Sequence, residues 1–149
     1  MGGSGSRYLA AKVNPDDIVA GINIEMIGKP SKFGANQAFV TGYDLSDLGK
    51  ILQKNLEGKA YGLHPDPYPR QQLFYRSDNA NFARRGIPAH TISSTQIDKD
   101  QYYHTVDDEV ETLDLPHLTN MIQAIAESVT SIVKGEDTPT RIENMGRRR

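Results

Sequence analysis

The sequence predicts an α/β domain, and three stretches predict it. Ile18–Ile24 (IVAGINI) is β-branched and apolar at nearly every position, the pattern of a strand buried on both faces. Ala89–Ser93 (AHTIS) reads as a second inner strand. Leu118, Ile122, Ile125, Val129 and Ile132 then recur at helical spacing. Such strands and helices in one chain predict helices layered on a sheet.

Bulk properties narrow the functions. At 149 residues the chain has the length of one domain with a real core. Its net charge of -2, from 17 basic and 19 acidic residues, gives no global field for nucleic acid. Arg147-Arg148-Arg149 reads as a solvated end, because three charges fall short of a binding run. The absence of cysteine excludes disulfides, thiolate zinc sites and cysteine nucleophiles. No apolar run is long enough to span a bilayer, so no membrane partner is expected. The N-terminus lacks the basic-then-apolar order of a signal peptide.

Taken in order, Met1–Ser6 (MGGSGS) lacks the third glycine and the preceding strand of a dinucleotide fingerprint. Ser6 is placed to cap a short helix through Tyr8, Leu9 and Ala10, which Asn14-Pro15-Asp16 breaks. Glu25 stands at the carboxyl end of the first strand, where ligands gather in open α/β sheets. Position alone leaves it equally a ligand or a solvent-facing carboxylate. Gly28–Gly34 is a loop and Gln37–Thr41 a short strand. Asp44 or Ser46 caps the next helix, Leu45, Leu48, Leu52 and Leu56 form its buried stripe, and Gly58 ends it.

Three prolines exclude Lys59–Gln72 from helix or inner strand, and a loop of this length suggests a substrate-pocket wall. His64 within it reads as a surface histidine. Leu73–Tyr75 reads as extended, Ser77-Asp78 as the cap of a helix over Asn79–Arg85, and Gly86 as its stop. His90 reads as a hydrogen-bonded core group. Asp114 caps the last helix and Gly135 ends it. The chain thus divides into a domain over 1–135 and a polar tail over 136–149.

The chemistry centres on Gln101–Asp114 (QYYHTVDDEVETLD), where His104 sits between aromatics and carboxylates. Zinc hydrolases need imidazole and carboxylate ligands at an open site, and outer carboxylates such as Asp107 and Asp108 orient the ring. An acidic loop before a helix N-terminus accounts for the same residues without a metal. There is no HExxH helix, GxSxG elbow or P-loop.

Three stretches together resemble one family. YHTVDDEVETLD is similar to the closing metal motif of the M28 zinc aminopeptidases, a His-Thr pair with an aspartate three residues after the histidine. GINIEMIGK resembles their strand-end motif Asn-x-Asp-Met-x-Gly, and FYRSDNANFARRGIPAHTIS resembles Tyr-x-Ser-Asp-His-x-x-Phe followed by Gly-x-Pro-Ala. The resemblance runs from Ile18 to about Val133. It implies the C-terminal part of a mixed-sheet, helix-covered zinc-exopeptidase fold, with three or four strands and three or four helices.

By this resemblance His104 binds one zinc ion and Glu25 the other of two. Tyr75 donates a hydrogen bond to the oxyanion, Asp108 supports the metal site from behind, and Ser77, Asp78 and Phe82 shape the substrate pocket. Glu25 stands where the family usually has aspartate, and Asn79 where it often has histidine. The family also uses an earlier His-x-Asp, a bridging aspartate and a Glu-Glu pair that supplies the general base; none of these precedes Glu25 here. Gly5-Ser6-Arg7-Tyr8-Leu9 matches the helix start that follows the Glu-Glu pair, so the expectation is the C-terminal half of a dizinc aminopeptidase, inactive alone. A second expectation is a non-catalytic module that self-associates, or pairs with a partner, through an exposed sheet edge. A third, cyclisation of N-terminal glutamine, needs a very different pocket from Lys59–Gln72. The family alone suggests a secreted or periplasmic location.

Overall fold

The computed structural model describes residues 3–143 and Met145. The strands are β1 (Gly21–Ile24), β2 (Gln37–Val40), β3 (Gly62–Pro65) and β4 (Ala89–Ser93). The helices are α1 (Ser4–Lys12), α2 (Leu48–Asn55), α3 (Asn79–Ala83), α4 (Leu115–Ser128) and α5 (Thr130–Val133). The strands form one mixed sheet in the order β1-β4-β2-β3. β1 runs parallel to β4, β2 parallel to β3, and β2 antiparallel to β4. This is the expected α/β architecture, with α5 a continuation of α4 broken at Val129.

β4 is the inner strand the sequence predicts, with all five residues buried. His90 within it is a satisfied core group, 1% exposed. Its Nδ1–H donates to the Thr41 carbonyl at 2.8 Å, so its Nε2 accepts from the Ser46 hydroxyl at 2.7 Å. Burial lowers its pKa because charging the ring there loses hydration. Leu48, Leu52 and Leu56 of the second helix pack with Val40, Ile92 and Met121 in the main core. The proline-rich stretch forms edge strand β3, where a missing N–H is tolerated. There His64 is half-buried, stacked on Phe33 with centroids 4.1 Å apart.

Several expectations need correction. Among the described residues β1 lies at the sheet edge, paired on one flank only, and Ile24 is 49% exposed. Its apolar residues face a groove of about 640 Å³ that Ile122, Val129 and Val133 line from the opposite side. Most of the predicted stripe of the last helix does face the core: Ile125 is buried there and Leu118, Val129 and Ile132 pack against it. Met121 and Ala124 join them, and Ile122 alone of the stripe turns outward, 56% exposed.

Residues 136–143, read as a polar tail, are mostly exposed but run back along the domain. Ile142 is buried with Phe74, Ala83, Ile87 and Ala89 in a second core cluster. Its N–H donates to the Gly86 carbonyl at 3.1 Å, and the Thr140 N–H donates to the Asp47 carboxylate at 2.7 Å. Burial of Ile142 and the bonds of Thr140 and Arg141 together hold the polar segment against the domain. The Arg147–Arg149 reading lies outside the described residues. Leu73–Tyr75 is a short 3₁₀ turn rather than an extended piece. Neither Ser6 nor Asp78 caps its helix: Ser6 lies inside α1, and its hydroxyl donates to the Asp78 carboxylate at 2.8 Å. That bond docks α1 beside α3.

Candidate active site

Strand alternation puts Asn23 and Glu25, Phe39 and Thr41, and Thr91 and Ser93 on one face of the sheet. The register sets Asn23 beside Thr91 and Phe39 beside Ser93. Over this face opens a cavity of about 800 Å³, bounded also by α1, α3, the Leu73–Asp78 turn and the loop after β4. Glu25, Tyr75, Ser77, Asp78, His104 and Asp108 all line it. Phe82 does not. It packs against the second core cluster, while Ala80 and Asn81 of α3 and Arg84 just after it line the cavity. The Lys59–Gln72 stretch does not form a wall either; the lining on that side begins at Leu73.

Glu25 is half-buried just past the end of β1. Its N–H donates to the Ile92 carbonyl at 3.2 Å, which fixes the backbone. One carboxylate oxygen accepts from the Ser77 hydroxyl and the other from Asn23 Nδ2 at 3.3 Å. Asn23 also donates to Thr91 Oγ1 at 2.9 Å, and the Thr91 hydroxyl donates to Asn79 Oδ1 at 2.9 Å. Asn79, 2% exposed, anchors the chain by donating to the carbonyls of Phe74 and Ala89. Asn79 is thus the buried root of a relay that orients Glu25.

Met26, the next residue, has a φ of 52°. This left-handed turn aims its carbonyl at the loop after β4, where it accepts from the N–H groups of Ser94 and Thr95 and from the Thr95 hydroxyl. His104 has a φ of 60°, uncommon for a non-glycine residue although histidine is among those that tolerate it. Its ring is exposed to the cavity and stacks on Tyr103, with centroids 3.9 Å apart and planes 19° apart. Asp108 shares the wall, but the ring's direction is set by that stack. Tyr75 is half-buried and lies edge-on to Phe74 at 5.3 Å. Gly42 makes room for that pair: with φ 63° it occupies a turn where an added Cβ would meet Phe74 at 2.3 Å.

A carboxylate and an imidazole are both zinc donors in kind. In number they fall short, since no group of three His, Cys, Asp or Glu among the described residues lies close enough to hold an ion. The sequence reading missed Asn23 and Thr91. A signal was present: Asn23 is the one polar side chain in β1, Thr91 lies in a strand whose residues are all buried, and a buried polar group needs a partner.

The model of peptidase family M28 matches residues 2–129. The chain belongs to peptidase family M28. Solved aminopeptidases share its fold. One from Aneurinibacillus sp. strain AM-1 is 24% identical, with 99% of this chain and 34% of its own covered at a TM-score of 0.59. The LapA aminopeptidase of Legionella pneumophila is 22% identical over 84% of this chain and 35% of its own, at 0.63. BSAP, a zinc aminopeptidase from Bacillus subtilis, is 16% identical over 95% of this chain and 36% of its own, at 0.66. The M28 chain therefore spans about a third of the length of these structures. No curated protein sequence matches it.

Proposed function

We propose that this M28 chain supplies part of the active site of a zinc aminopeptidase that removes N-terminal residues from peptides. The observation that carries the proposal is convergence. Residues from three separate stretches, Glu25, Tyr75 with Ser77, and His104 with Asp108, line one cavity over a buried polar relay. Glu25 and His104 would hold zinc, one donor to each ion of a pair. Bound zinc polarises the scissile carbonyl and activates water. Ser77 and Asn23 hold both oxygens of Glu25, so the carboxylate meets the metal in a set orientation. Tyr75 donates its phenolic hydrogen to the oxygen that becomes negative as the carbonyl is attacked. Asp78 and Ser77 shape the wall on which the substrate lies.

The remaining ligands and the general base come from outside these residues. The chain alone is expected to bind zinc weakly and to cleave nothing. The test is complementation: a soluble, folded segment that carries the missing ligands is mixed with this chain and zinc, and release of N-terminal residues is followed. Activity from the mixture and not from either part supports the reading; an inactive mixture of two folded parts contradicts it.

A second reading rests on a different observation. The free flank of β1 and the apolar groove beside it form the kind of edge that invites pairing. In that reading the chain is a non-catalytic module that self-associates, and a monomer in light scattering at high concentration removes it.

A further inference from the structure

We propose that the Lys29–Asp100 ion pair is a brace that sets His104 relative to Glu25. The inference rests on the reading of those two residues as metal ligands. Lys29 lies four residues after Glu25 on the segment leaving β1, and Asp100 lies four residues before His104. Lys29 Nζ is 2.7 Å from Asp100 Oδ1, and the two side chains are only 19% and 6% exposed. One bond therefore joins the two segments that carry the proposed ligands.

The same pair reaches the histidine through its neighbours. The other Asp100 oxygen accepts the Tyr103 N–H at 2.9 Å. Lys29 Nζ also sits 4.6 Å from the centre of the Tyr102 ring. Thr105 closes the turn onto the Tyr102 carbonyl with its N–H at 2.9 Å and its hydroxyl at 2.7 Å. Tyr103 in turn carries the stacked His104 ring. His104 adopts a left-handed backbone, uncommon for a residue other than glycine, which the contacts of its neighbours help to hold. An exposed ion pair does little of this work, but here the carboxylate is enclosed, so removing either partner leaves the other uncompensated.

The test uses the chain labelled with ¹³C at its histidine rings, in the variants Asp100→Asn, Lys29→Met and Lys29→Arg. The buried rings of His90 and His117 report whether the fold persists. The brace predicts that D100N and K29M move the His104 ring signals towards those of a free histidine, while His90 and His117 stay in place. Lys29→Arg keeps the charge and is expected to restore the His104 signals. On titration with zinc chloride, D100N and K29M are expected to need roughly tenfold more zinc than the unaltered chain to shift His104. If either variant unfolds, Tyr102→Leu, which keeps the ion pair, is expected to shift the same ring signals part of the way. His104 signals that stay unchanged in folded variants overturn the brace. If the ring responds to the variants but zinc does not shift it even when a segment carrying the missing ligands is supplied, the brace stands and the ligand reading falls. Equal zinc responses in all variants overturn the brace's role in setting the ligand.

Discussion

Thr91→Val removes one oxygen from the relay beneath Glu25 and keeps the shape of the side chain. Thr91 is 1% exposed, and its hydroxyl makes two bonds of 2.9 Å, one to Asn79 Oδ1 and one from Asn23 Nδ2. Each is worth about 1 kcal/mol net, and Asn79 Oδ1, left buried without a donor, adds about 1–3 kcal/mol. Asn23 is half-buried and can turn to water, so its loss stays at the low end. The added methyl returns about 0.8 kcal/mol. The net expectation is a loss of about 2–4 kcal/mol. At about 2–4 °C per kcal/mol for a domain of this size, the midpoint should fall by roughly 4–16 °C. Urea and thermal unfolding followed by circular dichroism measure it, with Thr91→Ser as the control that keeps the hydroxyl. A cost below about 0.5 kcal/mol for T91V, the range of unremarkable substitutions, would refute the relay.

Three other outcomes are expected. Ser77→Ala removes a donor to Glu25, so zinc affinity should fall roughly tenfold or more while the melting temperature hardly moves; titration with zinc and a competing chelator decides it. Ile142→Ala should cost about 2–5 kcal/mol in urea unfolding, since Ile142 is 4% exposed within the second core cluster; an effect near zero would return 136–143 to a solvated tail. Stability should fall with acidification from about pH 6.5 downwards, because burial lowers the pKa of His64, His90 and His117, so the unfolded chain takes up protons first and the contribution is lost as pH falls through the folded values. A flat profile from pH 7 to 5.5 would contradict that burial.

The elements were largely legible because local signals and tertiary packing agree there. Asp114 accepts the His117 N–H at 2.9 Å as the last helix begins, as expected of a cap. Gly58, Gly86 and Gly135 sit at positive φ after their helices. What the sequence could not show was sheet order. An apolar strand reads the same whether it is central or at an edge awaiting cover, so β1 was expected inside and lies outside. Site residues were legible where chemistry is unusual, as at Glu25 and His104. The supporting groups were not, because Asn23, Thr91, Lys29 and Asp100 are ordinary residues whose roles depend on partners as far as 71 positions away in the chain.

Zinc anomalous scattering from crystals of the chain combined with a segment that carries the missing ligands tests the central claim most directly. The account predicts zinc in the cavity, with Glu25 carboxylate oxygen and His104 imidazole nitrogen each at about 2.0–2.2 Å from a metal. Zinc bound only elsewhere, for example at His64, with the cavity residues unaltered, would contradict it.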